Sequence, residues 1–176
     1  MLQNYSTWKV LQVFFDEPTQ DHYLREISKK SGLAHTSVKN HLERLMEKDL
    51  IKEDEIERGE RTYPIYKRIQ NDRYKLYKKI DIQHRLQEYE LIDFIEEKFF
   101  PDCIVLFGSS ARGEDTEESD IDLYVQAEES DVDLTPFEDK LKRDIQLHVR
   151  ENLKDYPQEL KNNIVNGIVV YGYLEV

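Results

Sequence analysis

Apolar runs and helical patterns alternate along the C-terminal half of the chain. Residues 103–107 form an unbroken apolar run, which is typical of a strand buried on both faces. A second strand is predicted from residue 120 to 125, where polar and apolar side chains alternate. Further helices are predicted at 137–141 and 160–166, and further strands at 145–149 and 168–174. Strands that alternate with helices predict an α/β layer structure, here with a mixed sheet.

The N-terminal third has a different pattern, with helical periodicity followed by two short strands. Helices are predicted over residues 8–15, 24–33 and 34–48, and the last of these carries Val38, Leu42 and Leu45 on one face. Residues 52–56 and 61–66 predict a β-hairpin around a turn at 58–60. Farther along, apolar positions at helical spacing predict an amphipathic helix that covers the sheet or forms a dimer seam: Leu86, Tyr89, Leu91, Ile92, Ile95 and Phe99.

A glycine–serine turn follows the first apolar strand. Gly108 has no Cβ, so the chain can bend sharply there and a phosphate can approach the backbone. Ser109 and Ser110 offer hydroxyl groups, and the amides after them would open a short helical turn that attracts anions. The sequence therefore predicts a phosphate-binding bend at Gly108.

Two acidic residues open the second strand. Side chains alternate along a strand, so Asp120 and Asp122 share one face, about 6.6 Å apart, while Ile121, Leu123 and Val125 take the other. Magnesium prefers oxygen ligands and keeps room for substrate phosphates. Carboxylates that hold such metals can serve phosphoryl or nucleotidyl transfer. Either motif alone is common in loops and on solvated strand edges, and the joint spacing is what favours a metal–nucleotide site.

Gly108-Ser109, ten intervening residues and Asp120-x-Asp122 resemble the signature of the minimal nucleotidyltransferases in the DNA polymerase beta superfamily. Residues 111–114 and Ser119 also resemble that family, and the resemblance covers roughly residues 82–176. It implies a small domain that transfers a nucleoside monophosphate from a nucleoside triphosphate such as ATP. By this resemblance Gly108 and Ser109 hold the triphosphate, and Asp120 and Asp122 ligate Mg²⁺. Arg112 either neutralises charge there or forms an outward salt bridge.

The resemblance has one departure, at the third carboxylate that the family pattern places on a later strand. The corresponding strand here is 145–149, where Gln146 or His148 stands in place of the acid. Glutamine carries no charge and accepts no proton. Histidine can act as a base but is a poorer magnesium ligand than a carboxylate. Asp144, two residues before Gln146, is the remaining candidate, so the sequence leaves open whether the domain turns nucleotide over.

The three N-terminal helices and the hairpin resemble a winged helix-turn-helix over residues 5–68. In that motif the second helix of the pair enters the DNA major groove, which assigns DNA contact to its exposed starting residues: His35, Thr36, Ser37, Lys39 and Asn40. The alternative is a protein-docking module. The hairpin carries five acids that would repel phosphate, against only Arg58 and Arg61: Glu53, Asp54, Glu55, Glu57 and Glu60.

Charge and length predict two small domains. Residues 1–80 have 16 basic and 13 acidic side chains, whereas residues 81–176 have 9 and 24. Such asymmetry indicates nucleic-acid contact in the less acidic half, and it argues against free nucleic acid as acceptor in the other. Cys103 is the only cysteine, and with no signal-like or membrane-spanning run the expectation is a cytoplasmic protein. We expect a winged helix over 1–68, a linker helix over 69–100 and a nucleotidyltransferase-like domain over 101–176.

Two functions follow as expectations. The first is a nucleotidyltransferase that moves a nucleoside monophosphate from a Mg²⁺–nucleoside triphosphate to an acceptor, expected to be a protein. The second is a catalytically inert regulator that senses nucleotide or binds DNA. By resemblance to other winged-helix proteins, a homodimer is expected in either case.

Overall fold

The computed structural model describes residues 5–175, which divide between Lys75 and Leu76 into two compact units. Unit 1 contains α1 Ser6–Asp16, α2 Leu24–Ser31, α3 His35–Glu47, β1 Ile51–Arg58 and β2 Arg61–Arg68. Helix α4 Asp72–Glu88 begins in unit 1 and continues into unit 2. Unit 2 then contains α5 Leu91–Phe99, β3 Cys103–Phe107, α6 Gly108–Arg112, β4 Ile121–Gln126, α7 Thr135–Leu141, β5 Ile145–Val149, α8 Gln158–Val165 and β6 Ile168–Gly172.

The helices of unit 1 bury the faces that their periodicity predicts. Val38, Leu42 and Leu45 of α3 are at most 1 % exposed, so the predicted inner face is confirmed. Helix α2 ends at Gly32, which adopts the left-handed conformation that glycine tolerates at a helix end. The antiparallel strands β1 and β2 are longer than the sequence predicted, and they leave only a two-residue turn with Gly59 at positive φ.

Unit 2 is built on a four-stranded mixed sheet in the order β5-β4-β3-β6. Strands β4 and β5 are parallel, and the other two pairs are antiparallel, so the prediction of a mixed sheet is confirmed. Every residue of β3 is buried, as expected for the central apolar strand. The second predicted strand starts at Ile121 rather than at Asp120, and the last ends at Gly172 rather than at 174.

The predicted linker helix is two helices rather than one. The chain turns between α4 and α5, and Glu90 there has a positive φ. Leu86, Leu91, Ile95 and the neighbouring apolar residues of α5 are buried in one cluster with the strands. This packing confirms that the segment covers the sheet. Within residues 5–175, no helix combines the length and apolarity that crossing a bilayer requires.

Candidate functional site

The bend at Gly108 and the carboxylate of Asp122 lie in direct contact. Gly108 has φ +71, a conformation that favours glycine, and it follows Phe107, which pairs with Asp122 across the β3–β4 ladder. A Cβ added at Gly108 would overlap Asp122 Oδ2 and come within 3.1 Å of its Cγ. The structure therefore brings together the small-residue bend and one acid of the predicted pair.

The residues after Gly108 form the short helix α6, as the sequence predicted. Ser109 is half-buried, and its carbonyl accepts a hydrogen bond from the amide of Glu114 at 3.0 Å. Ser110 is 1 % exposed, and within residues 5–175 its hydroxyl has no hydrogen-bond partner. Arg112 is exposed and its Nε lies 3.0 Å from Glu114 Oε2. Of the two placements left open for Arg112, the structure has the outward salt bridge.

Asp120 stands just before β4, on the loop that leads into it. It lines a cavity of about 480 Å³ together with Asp144 and several other charged side chains. The two acids are brought near each other because the amide of Ile121 donates to the carbonyl of Asp144 at 2.9 Å. Asp122 is the second residue of β4, and its side chain is 28 % exposed. Both predicted acids are therefore accessible at the same end of the sheet.

The parallel β4–β5 ladder places two of the three candidates for the missing acid beside Asp122. Gln146 is the direct partner of Asp122 in the register, and it is exposed. His148 pairs with Tyr124, and its Nε2 lies 3.8 Å from Asp122 Oδ1. Its ring packs edge-on against Phe107 at 5.1 Å between centroids. Gln146 thus occupies the ladder position opposite Asp122, and His148 is the titratable group near that carboxylate.

A buried charge network fixes the loop that carries Asp120, and sequence reasoning missed it. Asp115 Oδ2 lies 2.8 Å from Arg143 Nη1 and 3.1 Å from Lys78 Nζ, and the three side chains are 4–11 % exposed. Arg143 also donates to the carbonyl of Ser119 at 3.3 Å. Nothing in the sequence marks Asp115 among the acids of residues 114–120, and its partners lie 37 residues before it and 28 residues after it.

Unit 1 holds a second cluster of titratable groups. Glu17, His22 and Glu26 present ligand-type atoms within 4.8 Å of one another, the only such group of three among residues 5–175. Lys30 forms ion pairs with both carboxylates, and the buried His22 ring bonds the Glu17 carbonyl at 3.0 Å. Because Lys30 and a backbone carbonyl already provide partners for these side chains, we interpret the cluster as structural.

The residues assigned to DNA contact occupy the first turns of α3. Ser37 is half-buried. The other four are exposed: His35, Thr36, Lys39 and Asn40. They lie on the side of α3 away from its buried apolar face, which leaves them accessible to a partner. DNA contact by these residues stays a prediction.

The donor set at the start of β4 fits a hard divalent cation. Asp120 and Asp122 supply carboxylate oxygens, the donors that Mg²⁺ prefers, and the Asp122 carboxylate lies against the bend at Gly108. Among residues 5–175 no third titratable group completes a cluster with these two acids. The site therefore offers two carboxylates and room for further oxygen ligands from a substrate.

Residues 89–175 match the family model described as Polymerase beta, Nucleotidyltransferase. The match spans just under half of the chain and contains the whole sheet, the Gly108 bend and both acids. Comparison with curated proteins and comparison with solved structures each gave no match. The match supports placing the C-terminal part of this chain in the nucleotidyltransferase superfamily. Domains of that superfamily act on nucleoside triphosphates, generally with a divalent metal such as Mg²⁺.

Proposed function

We propose that unit 2 transfers a nucleoside monophosphate from a Mg²⁺–nucleoside triphosphate, ATP among them, to an acceptor. The observation that carries the proposal is the contact between the Asp122 carboxylate and Gly108. An acid that can bind metal and a small-residue bend are the two parts that must meet for a metal-bound polyphosphate to lie beside a carboxylate. Asp120 opens onto the same end of the sheet and would be the second ligand.

The side chains have separable roles in this proposal. Asp120 and Asp122 would hold Mg²⁺, which supplies stabilisation of the charge on the entering and leaving oxygens. Gly108 and Ser109 would position the triphosphate, with the unpaired hydroxyl of Ser110 beside them. Arg112 would have to leave its exposed pair with Glu114 to reach a phosphate, a small cost because exposed ion pairs contribute about 0–1 kcal/mol.

The base that accepts the acceptor's proton would be His148 in its neutral form. Its Nε2 is 3.8 Å from Asp122 Oδ1, so a group beside Asp122 is within its reach. Gln146 cannot accept a proton and would only hydrogen-bond. Asp144 lies with Asp120 in the neighbouring cavity and would be the alternative base.

The surroundings of the site favour a protein acceptor over a nucleic acid. The cavity beside Asp120 is lined by six carboxylates and only two cations: Glu117, Glu118, Asp120, Glu138, Asp139 and Asp144 against Lys142 and Arg143. An unneutralised polyanion would be repelled from this surface. A serine, threonine or tyrosine hydroxyl on a neutral or basic protein segment would not.

The rival function is a nucleotide sensor without turnover, and the uncharged Gln146 opposite Asp122 favours it. Incubating the full chain with Mg²⁺ and each α-labelled nucleoside triphosphate, alone and with cell extract, separates the two. Label transfer that is lost in Asp120→Asn and Asp122→Asn, but kept in Asp139→Asn, supports the enzyme. Saturable nucleotide binding with no transfer and no pyrophosphate release would instead establish the sensor.

We also propose that residues 5–68 form a DNA-binding winged helix, with α3 as the recognition helix. Support comes from the accessible polar start of α3 and from the hairpin that follows it. A mobility shift on genomic fragments at two salt concentrations tests this, because phosphate contacts make affinity fall with salt. Lys39→Gln should weaken binding, whereas Lys79→Gln on α4 should not. The absence of any shift at low salt would contradict the proposal.

A further inference from the structure

The hairpin of unit 1 has an acidic face with three glutamates and a second, basic face that carries Arg58 and Arg61. Residues directly opposite in an antiparallel pair share a face, and the register pairs Arg58 with Arg61 and Ile56 with Tyr63. The acids Glu53, Glu55 and Glu57 alternate with these positions and so lie on the other face. Glu53, Glu55 and Glu57 are therefore separated from Arg58 and Arg61, which the composition alone does not show. Asp54 is on the basic face but pairs with Lys67, and Arg68 is on the acidic face.

The basic face borders a cavity of about 660 Å³ at the start of α2. The charged and aromatic residues that line it are three arginines and two tyrosines: Arg25, Arg58, Arg61, Tyr23 and Tyr63. The Arg58 guanidinium lies 5.2 Å from the centroid of the Tyr23 ring, and Tyr63 is 38 % exposed. A volume of this size is in the range of small-molecule sites, roughly 300–1,000 Å³.

The positive charge of this cavity is not neutralised by nearby acids. Asp21 and Asp54 both pair with Lys67 at 3.3 Å, and Glu26 pairs with Lys30 at 2.6 Å. Within the described part of the chain, Arg25, Arg58 and Arg61 have no carboxylate partner. Three guanidiniums without a carboxylate partner, one of them over the Tyr23 ring, lie beside two aromatic rings. Such groups are suited to phosphate and to the flat face of a base.

We propose that this cavity binds a nucleotide unit, with the tyrosines stacking on the base and the arginines holding phosphate. The shared ligand chemistry is a phosphate joined to an unstacked base, which comes either from a free nucleotide or from single-stranded nucleic acid. A duplex fits less well because its base faces are stacked inside the helix, out of reach of Tyr23 and Tyr63. The site lies wholly in unit 1, so it does not depend on the chemistry proposed for unit 2.

The test measures fluorescence anisotropy of a labelled ten-residue oligothymidylate on the full chain, in EDTA so that no metal-bound nucleotide forms in unit 2. Arg61→Gln should reduce the slope of log affinity against log salt by about 0.7, the value for one phosphate contact on a single strand. Tyr63→Ala should weaken binding roughly 5- to 150-fold, the range for loss of one stacked base. Arg150→Gln and Tyr173→Ala, which remove a guanidinium and an exposed tyrosine ring in unit 2, should leave binding unchanged.

Competition separates the sources of the ligand. Displacement by unlabelled ATP in EDTA shows that a free nucleotide suffices, and displacement by unlabelled oligothymidylate alone shows that a strand is required; both results support the site. The proposal is overturned if the chain binds neither probe or if a matched duplex competes as well as the single strand. It is also overturned if Arg25→Gln, Arg61→Gln and Tyr63→Ala, each folded by circular dichroism, all bind like the unmodified chain.

Discussion

Gly108 is under two separate constraints, one from its own backbone and one from its neighbour. Its φ of +71 disfavours any side chain, and the Asp122 carboxylate occupies the place of a Cβ. Gly32 shares the first constraint, with φ +69, but has nothing within 4 Å of an added Cβ. The two glycines therefore allow the backbone cost and the site-specific cost to be measured apart.

The first prediction is that Gly108→Ala destabilises the protein more than Gly32→Ala and impairs nucleotide binding, whereas Gly32→Ala does not. Both changes should cost about 1–2 kcal/mol for the left-handed conformation, and Gly108→Ala should in addition displace Asp122. Denaturant unfolding and magnesium-dependent nucleotide binding measure the two effects. Equal binding by the two variants would show that Asp122 is not held at the bend by contact.

The second prediction concerns Gln146, which faces Asp122 in the parallel ladder and is exposed. Gln146→Glu keeps the shape of the side chain and adds a carboxylate where the family pattern has an acid. We expect metal-dependent transfer to rise at least tenfold, because one more oxygen ligand and base would join Asp120 and Asp122. Gln126→Glu, at the far end of β4, is the control. No gain in transfer would mean that His148 or Asp144 already fills the role.

The third prediction is that Cys103 is inert in the folded protein. Burial, and to a lesser extent the charge of Asp102, raises the pKa of this thiol from its ordinary value of 9.0 to about 11. At pH 8 its thiolate fraction is then about a hundredfold lower than in the unfolded chain, and burial slows the reaction further. Reaction with a chromogenic disulfide, with and without denaturant, checks this. Equal rates in the two states would contradict the burial of Cys103.

The same raised pKa gives a pH dependence of stability with a defined sign. A group whose pKa is higher in the folded than in the unfolded chain stabilises the fold fully when the pH is below the unfolded pKa. That stabilisation is lost as the pH rises through the folded pKa. The free energy of unfolding should therefore fall between about pH 9 and pH 11. This fall should be smaller in Cys103→Ala.

At the scale of elements, the loop that carries Asp120 is held by side chains rather than by a sheet. Asp115 joins Lys78 of α4 to Arg143 just before β5, and all three are largely buried. Removing one partner of a buried charge pair leaves the others uncompensated, which costs about 3–5 kcal/mol. The position of Asp120 is thus coupled to the stability of this network.

The fourth prediction is that Asp115→Ala lowers the free energy of unfolding by about 3–5 kcal/mol, and Glu129→Ala by at most about 1 kcal/mol. Glu129 also forms an ion pair, with Arg150 at 2.7 Å, but its side chain is 73 % exposed. It therefore serves as the control for an ion pair in solvent. Denaturant unfolding of both variants checks the difference. Similar losses would mean that the Asp115 network is hydrated in solution.

Most elements of this fold are predictable from sequence because their periodicity reflects burial on the sheet. β3 and β5 have the predicted bounds. β3 is an apolar run that ends at a turn, and β5 alternates apolar and polar residues between charged neighbours. The break between α4 and α5 was not predictable, because Tyr89 and Glu90 are ordinary helix residues and only packing puts Glu90 at positive φ. The pairing of Gln146 with Asp122 likewise needed the parallel register.

At the scale of the whole molecule, the chain consists of two units with separate buried cores. The candidate site was predictable where residues close in sequence carry it, as with Gly108 and Asp122. The Asp115 network and the two faces of the hairpin were not, because both depend on partners set by tertiary structure or by strand register. The motifs thus predicted a candidate site, and the contacts that hold its residues in place became visible only in the structure.

The fifth prediction is that a fragment of residues 70–176, which keeps α4 intact, folds alone and retains magnesium-dependent nucleotide binding. Its sheet is covered by α4, α5 and α7 residues of the same unit, so its core is complete. Circular dichroism, cooperative unfolding and nucleotide titration of the fragment check this. A fragment without a cooperative transition would show that unit 2 needs the preceding residues to fold.

Gln146 stands on an exposed position where a change of charge disturbs no packing. Every glutamine codon becomes a glutamate codon by exchange of its first base. A descendant of this protein could therefore acquire a three-acid centre in one mutational step, with no intermediate that fails to fold. Under the function proposed above, the reverse step would remove turnover and leave nucleotide binding, so one residue on β5 would separate an enzyme from a nucleotide receptor.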